Sequence, residues 1–155
     1  MERTKHNRIF LGIDPGSSSG GLAWIRTNGE CGCTRFRDMT ETELYWTIHH
    51  FTETSVVAMI EQVHAFPGQG VSSTFKFGAN YGMLRGFLIA AGISFKEVTP
   101  VRWQKYYNLS KCKGETQAAW KRRLRQRAQE LHPSTKISAE TADAVLIAEY
   151  CKHNY

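Results

Sequence analysis

Arg8-Ile9-Phe10-Leu11-Gly12-Ile13-Asp14, followed at once by Pro15-Gly16, is a short apolar run that ends on an acid. A run of this length, apolar at almost every position and closed by a turn signal, reads as a strand covered on both faces. Ser17-Ser18-Ser19-Gly20-Gly21 then turns the chain into a second strand, Leu22 to Arg26. Asn28-Gly29 is a hairpin signal, so Glu30 to Asp38 is expected as a third, antiparallel strand. Thr40 with Glu43 three residues later makes a capping box, and the helix behind it buries Leu44, Ile48 and Phe51. Ser55 to Glu61 (S-V-V-A-M-I-E) is a second continuous apolar run, and it too ends on an acid.

Beyond it lies a Gly- and Pro-rich loop, His64 to Ser73, and then a helical stretch from Thr74 to Ala91. Gly78, Gly82 and Gly86 recur there at i, i+4 and i+8, a ridge of small residues that another backbone can approach closely. Ile93 to Val98 reads as a further strand, followed by a short helix from Pro100. Glu115 to Leu131 is a helix with the apolar stripe Trp120, Leu124, Ala128 and Leu131, and a last helix runs from Ala139 to Tyr150. Strands joined by tight turns, then strands separated by helices, predict an α/β fold: a mixed five-stranded sheet flanked by helices on both faces.

A chain of 155 residues and 17.6 kDa suits one compact domain, 1–155. Its composition, 41% hydrophobic and 22% charged, is that of a soluble globular protein rather than a disordered one. No apolar run approaches the ~18 residues that span a bilayer. Met1 to His6 has no apolar segment behind its charges, so no secretory signal is read and an unsecreted, cytoplasmic protein is expected. Cys31, Cys33, Cys112 and Cys151 lack zinc-site spacing and read as reduced thiols.

The net charge of +6 is unevenly spread. Arg102, Lys105, Lys111, Lys113, Lys121, Arg122, Arg123, Arg125 and Arg127 lie in one segment whose single acid is Glu115, so that segment carries +8 and the remainder −2. Such a block is the electrostatic footprint of a polyanion, nucleic acid above all, against the plainer reading of a solvated helix face. The Arg-rich stretch has no broad apolar face opposite it, so a membrane surface is not its partner.

Asp14 and Glu61 both close strands, and in open α/β sheets ligands collect at the carboxyl ends of parallel strands. If the two strands are neighbours their carboxylates meet, and a cation is needed between them. On a helical wheel Glu140 and Asp143 share a stripe with Ala144, Ile147 and Cys151, while Glu149 lies opposite. Taken singly, each strand-end acid reads as a surface acid, and the helix pair as a complement to the macrodipole. Taken together, the four offer the oxygen ligands that Mg²⁺ or Mn²⁺ prefers. Two such ions about 3.5–4 Å apart suit phosphodiester hydrolysis, with Asp14 between both, Glu61 holding one ion and the Glu140/Asp143 pair the other.

The set G-I-D-P-G-S-S-S-G (Gly12–Gly20), I-E-Q-V (Ile60–Val63), S-T-F-K-F-G (Ser73–Gly78) and E-T-A-D-A-V-L-I-A (Glu140–Ala148) resembles the RuvC-type Holliday junction resolvases of the ribonuclease H-like nuclease superfamily. The S-T-F-K-F-G run is most similar to the branch holding the chloroplast resolvase and phage-encoded relatives. The resemblance implies a ribonuclease H-like fold and a homodimer that cuts two opposed strands of a four-way DNA junction. It implies Mg²⁺ or Mn²⁺, two ions per active site, and 5′-phosphate and 3′-hydroxyl products. The cytoplasm of a bacterial or phage-infected cell is the implied setting. The family's acidic positions fall on Asp14, Glu61, Glu140 and Asp143. Where bacterial members carry an aromatic wedge after the E-Q-V, this chain has His64, with Phe66 two residues on, and Glu140 stands where Asp is usual. Lys105, Lys111 and Lys113 lie where the family keeps essential basic residues, and Lys121, Arg122, Arg123 and Arg125 join them as expected DNA contacts. In such dimers the helix after the E-Q-V loop lies at the subunit interface, dividing Phe75, Phe77, Tyr81, Leu84 and Phe87 between core and partner.

Three other readings compete. An ATPase lobe of the actin and hexokinase type needs a second lobe that 155 residues cannot hold. A catalytically silent DNA-binding module leaves the four acids without a use. A debranching nuclease acting on flaps and Y-forks would share every catalytic feature and differ only in substrate.

Overall fold

A computed structural model describes residues 7–155; the reading of Met1–His6 lies outside them. The two acid-terminated runs become β1 (Ile9–Asp14) and β4 (Val56–Glu61), and with β2 (Gly21–Arg26), β3 (Cys31–Arg35) and β5 (Ser94–Val98) they form one sheet. Strand order is β3-β2-β1-β4-β5, antiparallel on the β3-β2-β1 side and parallel across β1-β4-β5. The helices are α1 (Glu41–His50), α2 (Val71–Ala90), α3 (Pro100–Tyr106), α4 (Gln117–Leu131) and α5 (Ala142–Asn154). This is the expected mixed five-stranded sheet with helices on both faces. Among the described residues no helix is long and apolar enough to cross a membrane.

Strand parity divides the molecule. Ile9, Leu11 and Ile13 point to one layer, where they pack with Leu44 and Ile48 of α1 and Leu84 and Leu88 of α2. Phe10, Val57 and Met59 point the other way and pack with Trp103, Leu124 and the buried length of α5. Gly12 belongs to this second face by alternation. Its missing side chain is required there, because a Cβ would lie 2.2 Å from both the Ala144 carbonyl oxygen and the Ala148 amide nitrogen. Helix α5 therefore rests its backbone directly on the central strand.

Local signals account for the element ends. Thr40 forms the expected capping box with Glu43. The third strand is shorter than expected because a 3₁₀ turn at Phe36–Asp38 folds Phe36 into the core. Helix α2 starts at Val71 rather than Thr74. Helix α5 starts at Ala142, not Ala139, because the chain first closes a turn in which the Thr141 hydroxyl accepts the Ser138 N–H at 2.9 Å. The wheel that set Glu149 on an outer face also fails: Ala142 to Cys151 is buried on every side, between the sheet and α3 and α4. Glu149 tolerates burial because His132 Nε2 at 3.0 Å and His153 Nε2 at 2.9 Å pair with its two oxygens. These contacts hold its carboxyl well below the usual range, at about 2.

Gly12→Ala is expected to cost about 3 kcal/mol or more, since the added methyl meets helix backbone rather than a movable side chain. Chemical denaturation of the variant and its parent checks this, and a loss below ~1 kcal/mol would show that α5 can back away from β1.

Candidate active site

Alternation puts Asp14 and Glu61 on the α5 face of the sheet, at the same end. The β1–β4 register pairs Ile13 with Ile60, so each acid is one residue past that pair, where both strands leave the sheet. Helix α5 crosses β1 at Gly12, and its first turn brings Asp143 to the same place. Three carboxylates thus converge from β1, β4 and α5.

Their electrostatics follow from that crowding. Burial, reinforced by the charges of Asp143 and Glu61, pushes Asp14 up to about 8 against the opposing help of the Gly16 N–H and Lys121. Burial is also the main cause that lifts Glu61 to about 7, with Asp143 adding to it and the Trp103 N–H and Lys121 working against it. Lys121 Nζ lies 2.5 Å from Asp143 Oδ2. Burial works against that ammonium, but the carboxylates of Asp143, Asp14 and Glu61 outweigh it and raise the Lys121 pKa. The second Asp143 oxygen, Oδ1, is buried with no hydrogen-bond partner. Trp103 Nε1 donates to Glu61 Oε2 at 2.7 Å, and Asn80 of α2 donates to the Pro15 carbonyl, tying down the turn after Asp14.

Glu140 is placed differently from the other three. It precedes α5, so the i, i+3 helical spacing that grouped it with Asp143 does not apply. Its carbonyl lies beside Gly21, at the start of β2 and on the far side of β1 from β4. Its carboxylate lies 3.0 Å from Arg37 and 4.0 Å from Arg35. Its own backbone N–H and the Ser138 hydroxyl, then those guanidinium groups, hold its carboxyl below the ordinary value.

The basic block separates by what each side chain touches. Lys121 belongs to the carboxylate cluster. Arg123 is bound to Glu115 through two nitrogens and also donates to the Ser110 carbonyl, so it holds the α3–α4 loop. Arg125 donates its Nε to the Ile137 carbonyl, and Lys111 reaches Gln117. Lys105, Lys113 and Arg122 are exposed. His64 and Phe66 stand on the exposed loop between β4 and α2, with Phe66 at 69% exposure.

One member of the site, Trp103, was not singled out in the sequence, and another, Lys121, was read there as a DNA contact rather than as a partner of the carboxylates. Lys121 precedes Leu124 by three residues and so borders the apolar stripe of α4, a position from which a long side chain can reach inward. Trp103 carried a generic signal only, since a buried indole N–H needs an acceptor.

No protein-family model matches the chain, and no curated protein matches its sequence. Solved structures do match. The structure of Thermus thermophilus RuvC in complex with a Holliday junction substrate superposes with a TM-score of 0.56 at 16% identity, covering 90% of each chain. A second Thermus thermophilus RuvC structure gives 0.50 at 15% identity over the same shares. At this identity the likeness establishes the fold, which is ribonuclease H-like and of the RuvC type.

Among the described residues no three His, Cys, Asp or Glu side chains are grouped as metal ligands, and Lys121 supplies the positive charge amid the carboxylates. The donor set still suits a hard divalent cation. It is all oxygen, it includes the unpartnered Asp143 Oδ1, and Asp14 lies under the field of two further acids.

A raised carboxyl pKa means that the folded chain holds a proton which the unfolded chain has released, so stability falls as pH rises from about 4 to the folded value of about 8. Asp14→Asn should therefore gain on the parent by at least about 1.4 kcal/mol at pH 8.5 in EDTA, and by little at pH 4. Denaturant titrations at the two pH values check this; an equal difference at both would contradict the crowding of the three carboxylates.

Proposed function

We propose that this chain is a metal-dependent, structure-selective DNA endonuclease that resolves four-way junctions by paired nicks. The observation that carries the reading is the convergence of Asp14, Glu61 and Asp143 at the end of the two central parallel strands, on a fold of the RuvC type. The structural neighbour bound to a Holliday junction supports the choice of substrate. The Ser73–Gly78 run supports a place in the branch with the chloroplast and phage-encoded resolvases.

Asp14, Glu61 and Asp143 would hold Mg²⁺ or Mn²⁺, and Glu140 would join them by swinging its side chain away from Arg37. When bound, a pair of such ions supplies Lewis-acid activation of water and charge neutralisation at the leaving 3′ oxygen, consistent with 5′-phosphate and 3′-hydroxyl ends. Asp14 lies under the field of both other acids, so it is the residue suited to serve both ions. Lys121, paired with Asp143, brings one positive charge into the group of carboxylates and offsets part of their repulsion. The exposed ring of Phe66 suits stacking on an unpaired base, with His64 beside it. Lys105, Lys113, Arg122 and the outer part of Arg125 suit phosphate contact.

Paired nicks call for two active sites, and α2 offers the means. Val71, Phe75 and Ile89 stand 88%, 76% and 65% exposed on it. Gly78, Gly82 and Gly86 lie along the same stripe with open space at each Cβ position. An uncovered apolar helix face with small residues at its centre supports pairing of two protomers about a two-fold axis through α2.

Cleavage assays with a four-way junction, a Y-fork, a flap and linear duplex, each with Mg²⁺, Mn²⁺ or EDTA, test the reading. Metal-dependent symmetric nicks, mainly on the four-way junction, are expected. Comparable cutting of forks and flaps would instead mark a debranching nuclease, and binding without cutting a silent module. Asp14→Asn should abolish cleavage while junction binding persists; activity within about tenfold of the parent would remove Asp14 from the chemistry.

The two classes of arginine can be told apart by salt titration of junction binding. Arg122→Ala is expected to reduce the salt slope by about one. Arg123→Ala should leave the slope nearly unchanged and lower the melting temperature, because it unties Glu115 and the Ser110 carbonyl.

A further inference from the structure

Glu61 presents a problem of aim. It is the last residue of β4, where the chain leaves the sheet, and its carboxylate hangs on three rotatable bonds. Its backbone is fixed, since the Gln62 N–H donates to the Val98 carbonyl at 2.8 Å and extends the β4–β5 pairing past the end of the strand. Among the described residues its carboxylate has one hydrogen-bond donor, the Trp103 Nε1–H at 2.7 Å on Oε2. Trp103 has no exposed surface, and it is locked by the core formed with Leu124, Ala144 and Ile147. Its helix follows β5 directly, with Thr99 as N-cap and Pro100 in the first turn. The segment that braces the Glu61 backbone thus also supplies the group that holds its side chain.

An indole N–H donates and cannot accept. The oxygen facing it must be an acceptor, so Oε2 is committed to the protein, and among the described residues Oε1 has no hydrogen-bond donor. We propose that Trp103 is a positioning residue for the reaction: its indole N–H sets the rotamer of Glu61 and leaves Oε1 as the oxygen presented to a divalent cation. The inference rests on the nuclease reading above and deepens it. Partners of this kind, one shell out from a ligand, commonly change metal affinity or activity by 10–100-fold when removed. What is needed is the N–H rather than the ring. A phenyl group would leave the Glu61 carboxylate without its donor and a cavity where the indole had been.

Trp103→Phe is the simple variant, but the cavity alone could unfold it. Site-specific replacement of Trp103 by benzothienylalanine, with sulfur in place of the N–H, keeps the shape and removes only the donor. Replacement by 5-fluorotryptophan keeps both and serves as the rescue. The indole signal of Trp103 in ¹H–¹⁵N spectra of the metal-free parent should move on Glu61→Gln, which tests the hydrogen bond without metal or DNA. For the benzothienyl protein a melting temperature and an EDTA junction affinity close to those of the parent are expected. Its calorimetric Mn²⁺ affinity should be weaker by about tenfold, and kcat on the junction lower by at least that factor with KM unchanged. The 5-fluorotryptophan protein should match the parent in all four.

An unchanged Mn²⁺ affinity in the benzothienyl protein, beside normal Mn²⁺ binding and cutting by the parent, would overturn the role of Trp103 alone. So would losses of melting temperature and junction affinity that accompany the Mn²⁺ effect, which mark a structural residue. A parent that binds no Mn²⁺ and cuts nothing would overturn the nuclease reading, and this proposal with it.

Discussion

At Gly12 a β-carbon would lie 2.2 Å from the backbone of α5, and everything at the functional end of the molecule follows from the absence of that atom. Because the helix can touch the central strand, its first turn reaches the strand ends, and Asp143 arrives beside Asp14. The contact also makes α5 the centre of one layer. It is enclosed by the sheet on one side and by α3 and α4 on the other, so that ten successive residues are buried, Glu149 included. A helix held a normal packing distance of about 8–10 Å away would leave the two aspartates apart and part of α5 facing solvent.

Close approach carries an electrostatic cost that the structure meets in several ways. Asp14, Glu61 and Asp143 repel one another in a place with little water, and Lys121 enters from α4 to offset part of that. Trp103 gives Glu61 a hydrogen bond, Gly16 gives one to Asp14, and Asp143 keeps one oxygen unsatisfied. Further down α5, Glu149 is also buried but is fully paired with His132 and His153, and its pKa is lowered where those of Asp14 and Glu61 are raised. Burial therefore gives opposite results. The difference is whether partners were supplied, and an unsatisfied cluster has the capacity to take a ligand that a satisfied one lacks.

The elements themselves were legible from local chemistry. The two apolar runs, the Asn28-Gly29 hairpin and the Thr40–Glu43 box each specify a conformation through contacts a few residues apart, and they form the expected mixed five-stranded sheet. Errors arose where a residue's setting depends on something far away in sequence. Glu140 was grouped with Asp143 by helical spacing, yet the Ser138–Thr141 turn delays the helix and leaves Glu140 with Arg37. Glu149 was set outward because a wheel cannot show that α3 and α4 cover the outer face. Arg123, expected as a DNA contact, is also held by Glu115 on the loop before its own helix.

What the sequence determined by itself was the alternation of elements, the sign and place of the excess charge, and an acid at the end of each central strand. These depend on side-chain period, turn chemistry and composition, all of which act over short stretches of chain. Only the tertiary structure decided which acids meet, which arginines remain outside, and that Lys121 and Trp103 stand within reach of the same carboxylates. Such choices depend on distances between segments from about 20 to about 130 residues apart. They are fixed by the packing of α5 on β1 and of α3 and α4 on α5, a three-dimensional constraint that no local pattern encodes.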